Sequence, residues 1–235
     1  ASSASLAVRP AVDSALVVIT SMNAFVKHFP REQAAAADSM LHYFHRAEQF
    51  YPQSGRMEPR VRMQFHNNAN NMFSLLGDEP KATQQGFRTL ECCVRYQMKN
   101  FLPYVQHNLA ISMFRAGEYG RAVRLLKGAM AGNRALIEED ANKEHDAMRR
   151  ISQNLDALAE AYSFMGRNDS SLVHKMESQR ILRSYFPDDH YWLSIGEYHL
   201  GLHFAREKNW PEARKHLDSS ILEYESMQEL ELKRE

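Results

Sequence analysis

The chain has 235 residues, with 29 Lys and Arg against 29 Asp and Glu, so its formal charge is zero and gives no net pull on nucleic acid or an anionic membrane. Hydrophobic residues make up 44%, including 12 Met and 12 Phe, which suits helix packing and is too apolar for a disordered chain. No apolar run approaches the roughly 20 residues that cross a bilayer, so membrane insertion is not expected.

In chain order, residues 1–10 read as a flexible tail. Ala1 to Arg9 is rich in Ser and Ala, with no acid before Asp13, and two readings stay open: the end of a processed organellar transit peptide, or merely where an ordered segment begins. Residues 11–62 read as one helical hairpin. Val12, Leu16, Ile19, Phe25 and Val26 form an apolar stretch ending near Pro30, and Ala34 to Tyr51 form a second helix with Met40, Phe44 and Ala47 on one face, stopped by Pro52. Gln53 to Pro59 is then expected as a loop.

From residue 63 onward a spacing recurs four times. Three mostly small residues, separated by twelve and then seven positions, appear as Asn70/Ala82/Thr89, Ala110/Ala122/Ala129, Ala159/Ser171/Ser178 and Gly201/Ala213/Ser220. A small residue where two antiparallel helices cross lets their backbones approach, while larger residues at helical spacing fill the surrounding space. Leu109, Ala110 and Met113 lie on one face of a first helix, Gly117 breaks it, Tyr119 opens the next, and Ala122, Leu126 and Ala129 form that helix's stripe. Leu158, Ala159, Tyr162 and Gly166 repeat the design. So do Leu200, Gly201, Phe204, Trp210, Ala213 and Leu217, with Asn209-Trp210-Pro211-Glu212 as a helix start in which Asn209 caps and Glu212 reaches back. Such short segments cannot bury their own apolar faces and must stack, so the expected fold is all-helical, with no useful strand pattern anywhere.

At these residues the chain resembles the tetratricopeptide repeat (TPR) family, over residues 63–225, with expected repeats at 63–102, 103–151, 152–194 and 195–225. Residues 226–235 are a charged helix end. Asn70, Thr89, Ser171 and Ser178 depart from the family's small-residue pattern, and His28 stands where the N-terminal hairpin needs a small residue, which makes that hairpin degenerate or capping. The resemblance implies a right-handed helical-hairpin solenoid of about four to five helix pairs. Intervals of 40, 49 and 42 residues between the first triplet positions exceed the usual ~34 and are similar to the longer repeats of kinesin light chain. The seven extra residues in the middle interval amount to about two helical turns, so each flanking helix gains a turn and the charged segment Ala135 to Arg150 becomes a solvent-facing helical extension.

The resemblance also implies a protein-binding or peptide-binding groove lined by the first helix of each repeat. Position by position this places Gln64, Asn67, Asn68, Asn71, Tyr104, His107, Asn108, Ile111, Arg115, Asp156, Glu160, Tyr198, His199, Leu202 and Arg206 towards it. A side-chain amide offers both donor and acceptor, so Asn68 and Asn108 can clamp the backbone of an extended peptide. The pattern fails at Ala157. Asn67 stands where peptide-terminus binders carry a lysine, which argues against a carboxylate clamp.

Catalytic constellations are scarce. His199 and His203 are four apart on a helix but enclose Leu200-Gly201-Leu202, which supplies no base, and His42 and His45 flank Tyr43-Phe44. No glycine-rich phosphate loop, nucleophile elbow or paired-cysteine motif occurs. The two cysteines, Cys92 and Cys93, are adjacent and lack metal-ligand spacing, which points to a reducing, intracellular setting, cytoplasmic or organellar. The expectation is a non-enzymatic scaffold or adaptor within a larger assembly, without cofactor or metal. An RNA-associated subunit of a ribonucleoprotein is the alternative, with Arg56/Arg60/Arg62 and Arg121/Arg124/Lys127 as candidate basic patches or simply solvated edges.

Overall fold

The computed structural model describes residues 33–50 and 58–232. Every regular element among them is helical: α1 (Gln33–Phe50), α2 (Pro59–Leu75), α3 (Glu79–Arg95), α4 (Leu102–Arg115), α5 (Tyr119–Glu139), a 3-10 turn (Ala141–Lys143), α6 (Glu144–Phe164), α7 (Asn168–Tyr185), α8 (His190–Arg206) and α9 (Trp210–Leu232). The expected tail, the helix ending near Pro30 with His28, most of the loop after Pro52, and the last three residues lie outside the described residues. Pro59 is not loop. It sits at the start of α2, where a missing amide hydrogen is harmless.

The chain divides into two compact units, residues 1–117 and 118–235. In the first, Phe44 and Ala47 of α1 pack with Phe65, Ala69, Met72 and Phe73 of α2. The Phe44 ring stacks on Phe65 at 5.6 Å and meets Phe73 edge-on at 5.0 Å. A second cluster joins Met63 of α2 to Cys92 and Cys93 of α3 and Val105 of α4, and both cysteines are free and buried. In the second unit, Leu182 and Phe186 pack with Leu193 of α8, and the Arg149 guanidinium lies 3.9 Å from the Phe186 ring centre.

The triplet residues occupy the crossings, and all but Ser220 are buried. At Asn70, Thr89 and Ser178 a hydrogen bond explains the departure from the small-residue pattern, whereas the buried Ser171 hydroxyl has no hydrogen-bond partner. Asn70 Nδ2 donates to the Ala82 carbonyl of its own hairpin and to Ser112 Oγ of α4, each at 2.7 Å. Ser178 Oγ donates to the Ser152 carbonyl (3.1 Å) and Ser220 Oγ to the Ser194 carbonyl (2.9 Å), both 26 residues back. At Gly201 the approach leaves no room for a side chain, since a Cβ there would lie 2.7 Å from Leu217 Cγ and 3.2 Å from the Ala213 carbonyl oxygen.

The turns are equally regular. The amides of Asp78, Arg167 and Asn209 bond back to the carbonyls of Phe73, Tyr162 and Phe204, at 2.8 to 2.9 Å, which closes α2, α6 and α8 in the same way. This closure needs a left-handed residue just before. Gly77 and Gly166 supply it (φ +74° and +72°), and Lys208 does so without glycine's freedom (φ +59°).

Two further expectations need correction. Segment 135–150 is not one helical extension: α5 and α6 are each 21 residues long, as the extra turns require, but Asp140 is extended (φ −155°) and its carboxylate accepts from the Asn142 amide, which turns the chain. Leu136 and Ala147 within it are buried. Glu212 does not reach back to the cap. Its carboxylate pairs forward with Lys215 at 3.1 Å, while Asn209 Oδ1 does accept from the Glu212 amide, at 3.5 Å.

Candidate protein-binding face

In the first unit, α2 and α4 lie side by side and a polar ladder joins them. Asn108 Nδ2 donates to Asn67 Oδ1 at 2.8 Å, Asn67 Nδ2 faces the Tyr104 hydroxyl at 3.5 Å, and Arg115 Nη1 reaches Ser74 Oγ at 2.7 Å and the Ser74 carbonyl at 2.9 Å. Arg115 thereby satisfies a carbonyl at the C-terminal end of α2. Asn67 and Asn68 are buried, and Asn68 Nδ2 has no hydrogen-bond partner. Gln64, Asn71, His107, Asn108 and Ile111 are half-buried, while Tyr104 and Arg115 are exposed. The amides expected to clamp a peptide therefore already hold the helices in register or lie beneath the surface.

In the second unit, α6 presents Asp156 and Glu160, and α8 presents Tyr198, His199, Leu202 and Arg206. Glu160, Tyr198 and Arg206 are exposed, whereas Asp156, His199 and Leu202 are half-buried. Three groups absent from the sequence-based set join them: Lys175 and Ser178 of α7, and His203 of α8. Burial pushes the Asp156 carboxyl up to about 6, with Ser178 and Lys175 pulling it back and Glu160 adding to the rise. Burial likewise draws the Lys175 ammonium down, against the attraction of Asp156 and Glu160. His199 and His203 are pushed towards the neutral imidazole, chiefly by burial and also by Lys175 and Arg206. Lys175 stands three residues before the third triplet position, where the other repeats carry Gly86, Leu126 and Leu217. A charge thus occupies a place in the packed stripe, and that mismatch was readable from the sequence.

Asp156→Asn should raise stability at neutral pH. A carboxyl whose folded pKa lies above its unfolded value, near 3.9, leaves stability unaffected below about pH 4 and lowers it as pH rises to about 6, because the unfolded state ionises first. The variant should match the parent near pH 4 and lead by up to about 3 kcal/mol above pH 6, a figure already net of the Lys175 attraction. Urea unfolding across this range reads the difference. A variant less stable than the parent at neutral pH would contradict the assignment.

Among the described residues no three His, Cys, Asp or Glu side chains gather to hold a metal ion, and no helix is long and apolar enough to cross a membrane. His42 packs edge-on against Tyr43, and His45 pairs with Glu48 at 3.3 Å.

No family profile and no curated protein matches the chain. Solved structures do. BtubC from P. vanneervenii matches with a TM-score of 0.66 at 14% identity, over 94% of this chain and 92% of that one. Kinesin light chain-like TPR repeats from Podosopora anserina match at 0.69 and 14% identity, over 90% of this chain and 96% of that one. The apo form of RapI matches at 0.69 and 14% identity, over 90% of this chain and 72% of that one. With the hairpins, buried triplets and repeated turn closures described above, these likenesses give the chain the TPR-like helical-repeat fold.

Proposed function

We propose that this protein is a non-catalytic scaffold or adaptor that holds another protein against the first-helix faces of its units, as a subunit of a larger assembly. The observation that carries this reading is Lys175. A lysine in a stripe that is otherwise glycine or leucine, facing the half-buried Asp156, is a local inconsistency of the kind that function maintains at the expense of stability. Around it, exposed Tyr198, Glu160 and Arg206 supply an aromatic anchor and both signs of charge. In the first unit, exposed Tyr104 and half-buried Gln64, Asn71 and Ile111 offer a second surface that combines an aromatic anchor with amide donors and acceptors.

Lys175→Leu restores the apolar stripe and separates the two demands. The variant should fold at least as stably as the parent and bind its protein partner at least about tenfold more weakly, the loss expected for one charge-assisted contact. The readout is partner recovery from the native source with and without ribonuclease, followed by affinity measurement with the recovered protein. Undiminished affinity, or a partner released by ribonuclease, would defeat the proposal.

A further inference from the structure

A second polar site lies in the first unit, built from residues that the first-helix face does not use. A pocket of about 310 Å³ is lined by Arg62 and His66 of α2, by Arg88, Glu91, Cys92 and Arg95 of α3, and by Tyr96 just beyond it. Helical spacing assembles it: Arg62 and His66 are one turn apart, while Arg88, Glu91 or Cys92, and Arg95 follow one another by single turns on the facing helix. Three guanidiniums thus meet one carboxylate, and Glu91 is engaged by Arg95 at 2.6 Å. Arg88 is exposed and has no ion-pair partner among the described residues.

We propose that this pocket binds a phosphate monoester group. The guanidinium is a planar fork that matches phosphate oxygens two at a time, and Arg88, which has no ion-pair partner among the described residues, offers such a fork at the pocket. The volume is at the small end of ligand sites, roughly 300 to 1,000 Å³, which suits a head group and not a whole nucleotide chain. A phosphodiester strand would call for an extended basic track, whereas this chain has zero formal charge.

The remaining lining fits binding and not catalysis. His66 is held by a 2.7 Å hydrogen bond to Gln85 Oε1, and burial pushes its pKa down to about 4, so the ring is neutral near pH 7. Burial pushes the Cys92 thiol up, which keeps it protonated although Arg62 and Arg95 pull the other way. A thiol in that state is a poor nucleophile towards phosphorus. No bond to the phosphate is made or broken.

The test uses the full chain and phenyl phosphate, followed by calorimetry and by the His66 ring signals in NMR. Binding should be one to one, should raise the His66 pKa, and should weaken about tenfold in Arg88→Ala, with Arg88→Lys between the two. Arg88 is exposed, so its replacement leaves folding intact, and thermal melting checks this. A phosphoserine peptide that binds more tightly than phenyl phosphate identifies a phosphorylated partner as the source. Equal affinities identify a free phosphate ester. Absence of binding, affinity indifferent to Arg88→Ala, an unmoved His66, or preference for a single-stranded RNA oligonucleotide would overturn the proposal.

Discussion

Leu109→Ala should lower stability by about 2 to 5 kcal/mol, the range for removing a fully buried leucine. Leu109 is completely buried in α4, and its side chain fills the notch left by Gly86 of α3: a Cβ on Gly86 would stand 2.7 Å from Leu109 Cδ1 and 3.1 Å from Asn70 Nδ2. Gly86→Ala alone should therefore be unfavourable by about 1 to 3 kcal/mol through overpacking, offset by up to about 1 kcal/mol of helix propensity. Combining the two changes is the informative step. With Leu109 truncated, the added methyl enters the vacated space, and the double variant should be more stable than the sum of the singles predicts. Denaturant unfolding of the four proteins gives the coupling directly. Strict additivity would mean that α3 and α4 do not interlock at this point.

Glu197→Ala should cost about 3 kcal/mol. The Glu197 carboxylate on α8 is only 5% exposed, and it accepts from Arg183 Nη2 of α7 at 2.9 Å and from His216 Nδ1 of α9 at 2.7 Å. One buried acid thus fastens three successive helices. Nearby, Glu223 of α9 accepts from His190 of α8 at 2.7 Å and lies 3.8 Å from Arg183. Removing Glu197 leaves the His216 ring, which is 17% exposed, without its acceptor, while half-exposed Arg183 can turn to water or to Glu223. Glu197→Gln keeps one oxygen acceptor and should lose only about 1 kcal/mol. Thermal unfolding ranks the parent, the Gln variant and the Ala variant in that order. An Ala variant that melts with the parent would show that the network contributes nothing to holding α9.

The helix crossings were legible because close approach tolerates few residue types, and twelve- and seven-residue offsets place those residues at the same points of each hairpin. Asn70 and Ser178 blurred that pattern, yet each is buried and uses its polar group across the crossing, so the register survives the change of residue. Asp140 was harder to read. A single extended residue interrupts a stretch whose composition favours helix, and only its short-range bond to Asn142 betrays the turn. The binding face was partly legible. Helical spacing puts Tyr104, Asn108, Ile111 and Arg115 on one face, but it does not reveal that Asn108 bonds to Asn67, 41 residues away, or that Arg115 closes the end of α2. Lys175 lay on a second helix, outside the positions carried over from the family resemblance. Its substitution for an apolar stripe residue was the available signal. The arginine pocket depends on α2 and α3 meeting with residues 62 and 88 opposed, a pairing that only the folded hairpin displays.

The most direct measurement of the scaffold reading is site-specific photo-crosslinking in the native source, with a photoreactive phenylalanine at Tyr198 on the first-helix face and, separately, at exposed Val173 on α7. The account predicts a discrete protein adduct from position 198, insensitive to ribonuclease and lost in the Lys175→Leu background, with none from position 173. Adducts from position 173 alone, or a position 198 adduct that is RNA, would contradict it.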